Sequence, residues 1–104
     1  MSVLNVIFYQ EAEVDIAGIV HYIAEDNLKA AKEFLVAIDD LCELLMHTPD
    51  IGSMRIFQNP KLRGLRVFPL KKFQKYLVFY RVCETTVEIV RVIHGARDCP
   101  SFFE

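Results

Sequence analysis

The chain has 104 residues, with 14 acidic and 12 basic side chains and a formal net charge of −2. The length fits a single domain over residues 1–104, and an apolar content of 53% excludes a disordered chain. No apolar run reaches the roughly 18 residues that span a bilayer, and no basic segment precedes the apolar stretch at 6–9, so neither a membrane span nor a signal peptide is expected.

Val3, Val6, Ile7 and Phe8 are β-branched or aromatic and predict a first strand. The period then changes. Ala12, Ile16, Ile19 and Ile23 recur at helical spacing, and Glu11, Glu13 and Asp15 lie in the first turns, where the helix dipole favours negative charge. The helix is expected to stop near Asp26 and Asn27, with Asn27 capping a second helix over 28–47. Ala31, Phe34, Ile38, Leu41 and Leu45 form the buried stripe of that helix. Thr48 and Pro49 end it, and Gly52 permits a sharp reversal. Two helices joined so tightly pack as an antiparallel hairpin.

Further along, Leu65 and Val67 alternate with Arg66 and Phe68 until Pro69 interrupts, and Lys71 and Lys72 mark an exposed turn. Residues 76–82 are nearly all apolar, which predicts a central strand covered on both faces. Glu84, Thr85 and Thr86 make the next turn, and 87–93 the last strand. The order β-α-α-β-β-β predicts an α+β two-layer domain, a helix hairpin on one antiparallel sheet.

Charge is divided along this order. Residues 1–50 carry ten acids against two bases, −8; residues 51–83 carry eight bases and no acid, +8; residues 84–104 add −2. Such a split either prepares one face for an anionic partner or neutralises itself across the fold. Cys42, Cys83 and Cys99 form no Cys-x-x-Cys pair, which fits a reducing cytoplasm better than a disulfide framework.

No metal site is expected, since His21, His47 and His94 lie far apart with no His or Cys three to five residues away. Cys99 lies near His94 and Asp98, but nothing supplies an oxyanion hole. The four glycines are isolated, so no phosphate-cradling loop exists. Acid–base cleavage of RNA would draw on Tyr76, Tyr80, His94, Arg66, Arg81 and Arg97, which also suit plain strand packing and solvation. Gly95 lets the chain leave the last strand, holding Arg97 and Asp98 at the sheet end, and Phe102 and Phe103 form an apolar tip.

Several stretches together carry a family pattern: Tyr22-Ile23-Ala24-Glu25-Asp26-Asn27, Ala30-Ala31, Leu44-Leu45, Pro49-x-x-Gly52, Leu65-Arg66-Val67, Tyr76, Tyr80-Arg81-Val82, and Ile89-x-x-Val92-x-His94-Gly95-Ala96-Arg97-Asp98. In order and spacing the chain resembles the ParE branch of the RelE/ParE toxin superfamily, the plasmid stabilisation proteins. The resemblance implies a helix hairpin on an antiparallel sheet and the toxin of a type II toxin–antitoxin pair, with no cofactor. It implies a ParD-like antitoxin as partner, and operator DNA reached only through that antitoxin. ParE-like members block DNA gyrase, whereas RelE-like members cut messenger RNA on the ribosome. By alignment with the ribonuclease members, an arginine of the third strand becomes Leu77, a basic position after the last strand becomes Gly95, and only Phe102 or Phe103 lies near a C-terminal tyrosine. These departures favour the gyrase branch without a catalytic set. The resemblance and the charge pattern give Arg63, Arg66, Arg81, His94, Arg97, Asp98, Phe102 and Phe103 as target-binding residues. The antitoxin is expected to cover the helix hairpin or extend the sheet edge, using Ile16 and Ile23, with its acids meeting Arg63, Arg66 or Lys75.

Overall fold

The computed structural model describes residues 4–54 and 64–97. The elements run β1 (Asn5–Phe8), α1 (Gln10–Asp26), α2 (Leu28–His47), β2 (Ser53–Met54), β3 (Arg66–Leu70), β4 (Phe73–Cys83) and β5 (Thr86–His94). This is the expected α+β domain, two helices on one sheet.

One residue makes the helix hairpin tight. Asn27 ends α1 with its backbone N–H donating to Ile23 O, and starts α2 with its side chain accepting from Ala30 N at 3.0 Å. Both orphan helix ends are thus served at a single extended residue. The two helices bury unequally. α2 sinks Ala31, Phe34, Ala37, Ile38, Leu41 and Leu45, whereas α1 fully buries Ala12 alone. Ile16 and Ile23 of α1 lie half-buried against the core, so these two expected antitoxin anchors turn inward. Phe34 centres the core, meeting Phe73 and Tyr76 edge-on at ring distances of 5.3 and 5.5 Å. Such edge-to-face pairs add roughly 0.5–1.5 kcal/mol beyond area burial.

The five strands lie in the order β1-β5-β4-β3-β2, so β4 is central, as its apolar run predicts. Tyr76, Val78 and Tyr80 face the helices, while Leu77 and Phe79 join Leu65, Val67, Val90 and Ile93 in a second cluster on the far face. Covering both faces of β4 explains why its sequence lacks clean alternation.

Three features depart from the sequence reading. β1 pairs with β5 in parallel, so the sheet is antiparallel except at this edge. A short strand, β2, adds to β3 through Ser53 and Met54. Pro69 does not interrupt β3: it stays in the strand, exposed, at a register shift between Pro69 and Leu70. A proline is tolerated there because it sits at the register shift, past the pairs that β2 makes with Arg66 and Val67. A second shift falls where Phe79 pairs with Arg91 and the next residue, Tyr80, pairs with Ile89. Val90 is the extra residue of this bulge. It turns to the far face, and the inward set of β5 changes parity from Val87 and Ile89 to Val92.

Candidate functional site: a tyrosine clamp and the end of the last strand

The sequence candidates separate into two places on the sheet. At the β3 side, Tyr80 is fully buried and its hydroxyl is engaged twice: it donates to Pro49 O at 2.8 Å and accepts from Gly52 N at 2.8 Å. Burial pushes the phenol ionisation up, so the hydroxyl stays protonated and keeps its donor. Arg66, directly opposite Tyr80 in the ladder, donates from Nη1 to Gly52 O at 2.9 Å and to Asp50 O at 3.3 Å. Together the two side chains hold the turn that leaves α2. Gly52 is required here for close approach: a Cβ would come within 2.6 Å of Tyr80 Oη.

At the other end, the last strand runs into a short helical turn. His94 lies opposite Tyr76, its ring edge-on to the tyrosine at 5.3 Å. His94 Nδ1 accepts from the backbone N–H of Arg97 at 3.2 Å, which ties the turn to the strand. The Arg97 guanidinium stands 5.9 Å from the centre of the Tyr22 ring, within cation–π range. Gly95 is closely approached as well, since a Cβ there would meet Leu77 Cδ1 at 3.0 Å and press on that side chain. Leu77 belongs to the far-face apolar cluster.

Two groups required by acid–base cleavage are therefore apart. Tyr80 and His94 are opposite positions four residues distant along β4, about 13 Å at the rise of an extended strand. Arg81 stands opposite Glu88 in the ladder, and Tyr9 Oη donates to Glu88 Oε1 at 2.7 Å. That hydrogen bond, followed by burial, pushes the Tyr9 ionisation up. Lys75 is exposed on β4. Arg63, Asp98, Phe102 and Phe103 lie outside the described residues. Among the described residues no group of three His, Cys, Asp or Glu side chains could hold a metal ion, and no helix is long and apolar enough to cross a membrane.

Sequence reasoning missed one polar junction. Asp15 of α1 receives Arg91 Nε at 2.7 Å and Nη2 at 3.0 Å, and also the backbone N–H of Val92 at 3.0 Å. β1 pairs with β5 only as far as Ile89, so the Val92 N–H lies on a bare strand edge that Asp15 closes. The available signal was a lone arginine inside the apolar run 89–93.

The family model for the ParE toxin of type II toxin–antitoxin systems, parDE, matches residues 6–99. No curated protein matches the sequence significantly. Among solved structures, a chain of the chromosomal ParDE TA system from P. aeruginosa superposes with a TM-score of 0.68. It shares 19% identity, over 88% of this chain and 96% of that one, a likeness of fold. The family pattern thus spans nearly the whole chain, on a fold that agrees with it, and the chain belongs to the ParE toxin family of type II toxin–antitoxin systems.

Proposed function

We propose that this protein is a gyrase-directed toxin that acts in the cytoplasm by binding, without cleaving RNA, and is neutralised by a ParD-like antitoxin. The observation that carries the reading is the engagement of Tyr80 and Arg66 in the turn clamp. This buried hydroxyl has its one proton committed to Pro49 O and accepts from Gly52 N, so moving a proton for a substrate would break the clamp. The remaining candidate, His94, stands at the far end of β4. By the same alignment, Leu77 and Gly95 replace two cationic groups of the ribonuclease pattern. Arg81, His94 and Arg97 are the described side chains this reading assigns to the target, and operator DNA is reached through the antitoxin alone.

The test adds antitoxin-free protein to gyrase supercoiling and DNA-cleavage assays. Lost supercoiling with accumulation of cleaved DNA is the expected result. Unchanged gyrase at micromolar protein, with new 5′ ends on translated messenger RNA in primer extension, would replace this reading with ribosome-dependent cleavage.

A further inference from the structure

The last strand ends in a side chain that works as a helix cap. The backbone is extended through His94 and helical from Gly95 to Arg97. His94 therefore stands at the N-cap position, and its Nδ1 accepts from the N–H of Arg97, the third residue of the turn, at 3.2 Å. Serine, threonine, aspartate and asparagine suit this position because their oxygen accepts at any neutral pH. Imidazole is different. Nδ1 accepts only while the ring is neutral with its proton on Nε2, and the protonated ring has two donors and no acceptor. Protonation also sets a positive charge against the N–H groups that open the turn.

The turn so held carries Arg97 to a defined place. Its guanidinium lies 5.9 Å from the centre of the Tyr22 ring. Both side chains line a hollow of about 300 Å³ with Tyr76, and Gly18 leaves the α1 side of it open. Arg97 is exposed there, whereas His94 is half-buried with its ring edge-on to Tyr76 at 5.3 Å. Among the described residues, the charged and titratable groups around the imidazole come from β4, α1 and β5. Tyr76 stands opposite it on β4 with Lys75 beside, Asp15 and Tyr22 lie across the hollow on α1, and Arg91 of β5 holds Asp15 at 2.7 Å. Imidazole is the side-chain type in this set that changes charge between about pH 8 and about pH 6.

We propose that His94 is a positioning residue for the target: neutral, it caps the turn and sets Arg97 over Tyr22; protonated, it releases the turn, and the toxin loses its grip as pH falls. The inference rests on the gyrase reading above and deepens it, because His94 then serves the target through Arg97.

Two measurements on the full chain test it. Nuclear magnetic resonance follows the His94 ring nitrogens and the Arg97 amide proton from about pH 8 to about pH 6. The amide is expected to move upfield, as a released N–H does, along the same titration curve as the ring. In parallel, inhibition of supercoiling is titrated at both pH values, each against gyrase alone. The wild-type chain is expected to need about fivefold more protein for half-inhibition at the lower pH, the scale of a lost cap. His94→Phe keeps a ring against Tyr76 but cannot accept, so it is expected to inhibit weakly at both pH values. His94→Asn gives up the ring but keeps an acceptor throughout, so its inhibition is expected not to vary with pH. A role in ring packing alone predicts the reverse order for these two variants. The pair His21→Gln with His47→Gln, both exposed on the helices, is expected to respond to pH as the wild type does.

An Arg97 amide that ignores the ring overturns the inference. So does a pH response that survives in His94→Phe or vanishes in the glutamine pair, or a His94→Asn chain as weak as His94→Phe. Equal inhibition at both pH values while the amide follows the ring also overturns it, because the cap would then not serve the target. A wild-type chain that leaves gyrase untouched at both pH values overturns the gyrase reading instead, and the amide alone then decides the cap.

Discussion

The two flanks of the helix layer treat charge in opposite ways. On the α1 flank, one carboxylate, Asp15, takes up a forked guanidinium and a backbone N–H, sealing the edge of β5. On the α2 flank, Glu33, Asp40, Lys71 and Lys72 border an apolar groove beside Leu44 and pair with nothing among the described residues. A charge pair between layers stabilises where it also satisfies backbone that would otherwise face a strand edge. Where no backbone group needs closing, the exposed pair is worth little to folding and remains available to a partner. Among the described residues, the split in net charge along the sequence is therefore not neutralised simply by acidic helices meeting basic strands. Lys71, Lys72 and Lys75, three bases of the central segment, form no ion pair among the described residues.

The largest effect that could break this contrast is at Asp15. Asp15→Ala removes both hydrogen bonds from Arg91 and leaves the Val92 N–H without its acceptor. A loss of about 3 kcal/mol is expected in urea unfolding. A loss under about 0.5 kcal/mol, the scale of an ordinary surface change, would make the α1 flank no more engaged than the groove.

Next in size is the clamp that anchors the end of α2. Tyr80→Phe orphans the buried Gly52 N–H and is expected to cost about 1–3 kcal/mol by the same measurement. It also changes the response to alkali. Because the folded hydroxyl ionises above the ordinary tyrosine value of 10.0, its contribution is full below that pH and is lost as pH rises through the folded value. The phenylalanine variant should lack that alkaline component. An identical alkaline loss in both proteins would assign it elsewhere.

The smallest effect reads exposure directly. Cys42 lies on the core-facing side of α2, and burial, with Asp39 adding to it, pushes its thiol up to about 11. At pH 8 it should react slowly with a thiol reagent, while Leu44→Cys in the groove reacts at the rate of an exposed cysteine. Peptide mapping separates these sites from Cys83 and Cys99. Equal rates at positions 42 and 44 would erase the distinction between a closed side and an open one.

Much of the fold was legible because periodicity reports burial directly. The stripe of Ala31, Phe34, Ile38, Leu41 and Leu45 is buried throughout, and Asn27 caps the second helix as its side chain allows. The apolar run of β4 announced a central strand. What periodicity omits is partner direction. Nothing in Asn5–Phe8 says that it lies parallel to a strand some eighty residues away. The Val90 bulge was equally hidden, since one extra residue changes parity without changing composition. At the candidate site, the position of Arg97 just past the last strand was legible because it is local in sequence, whereas its backbone hydrogen bond to His94 was not. Tyr80 was assigned to chemistry or packing, and its role holding a turn was missed, because its partners are backbone groups that no side-chain pattern records.

The toxin as proposed works by occupying its target, with no turnover of its own. Titrating a fixed amount of gyrase with purified toxin and measuring supercoiling tests it most directly. Inhibition should rise in proportion to the toxin added, saturate near one toxin per gyrase site, and be reversed by the antitoxin at matching ratio. Undiminished supercoiling at excess toxin, with messenger RNA cut by amounts far below the number of ribosomes, would contradict it.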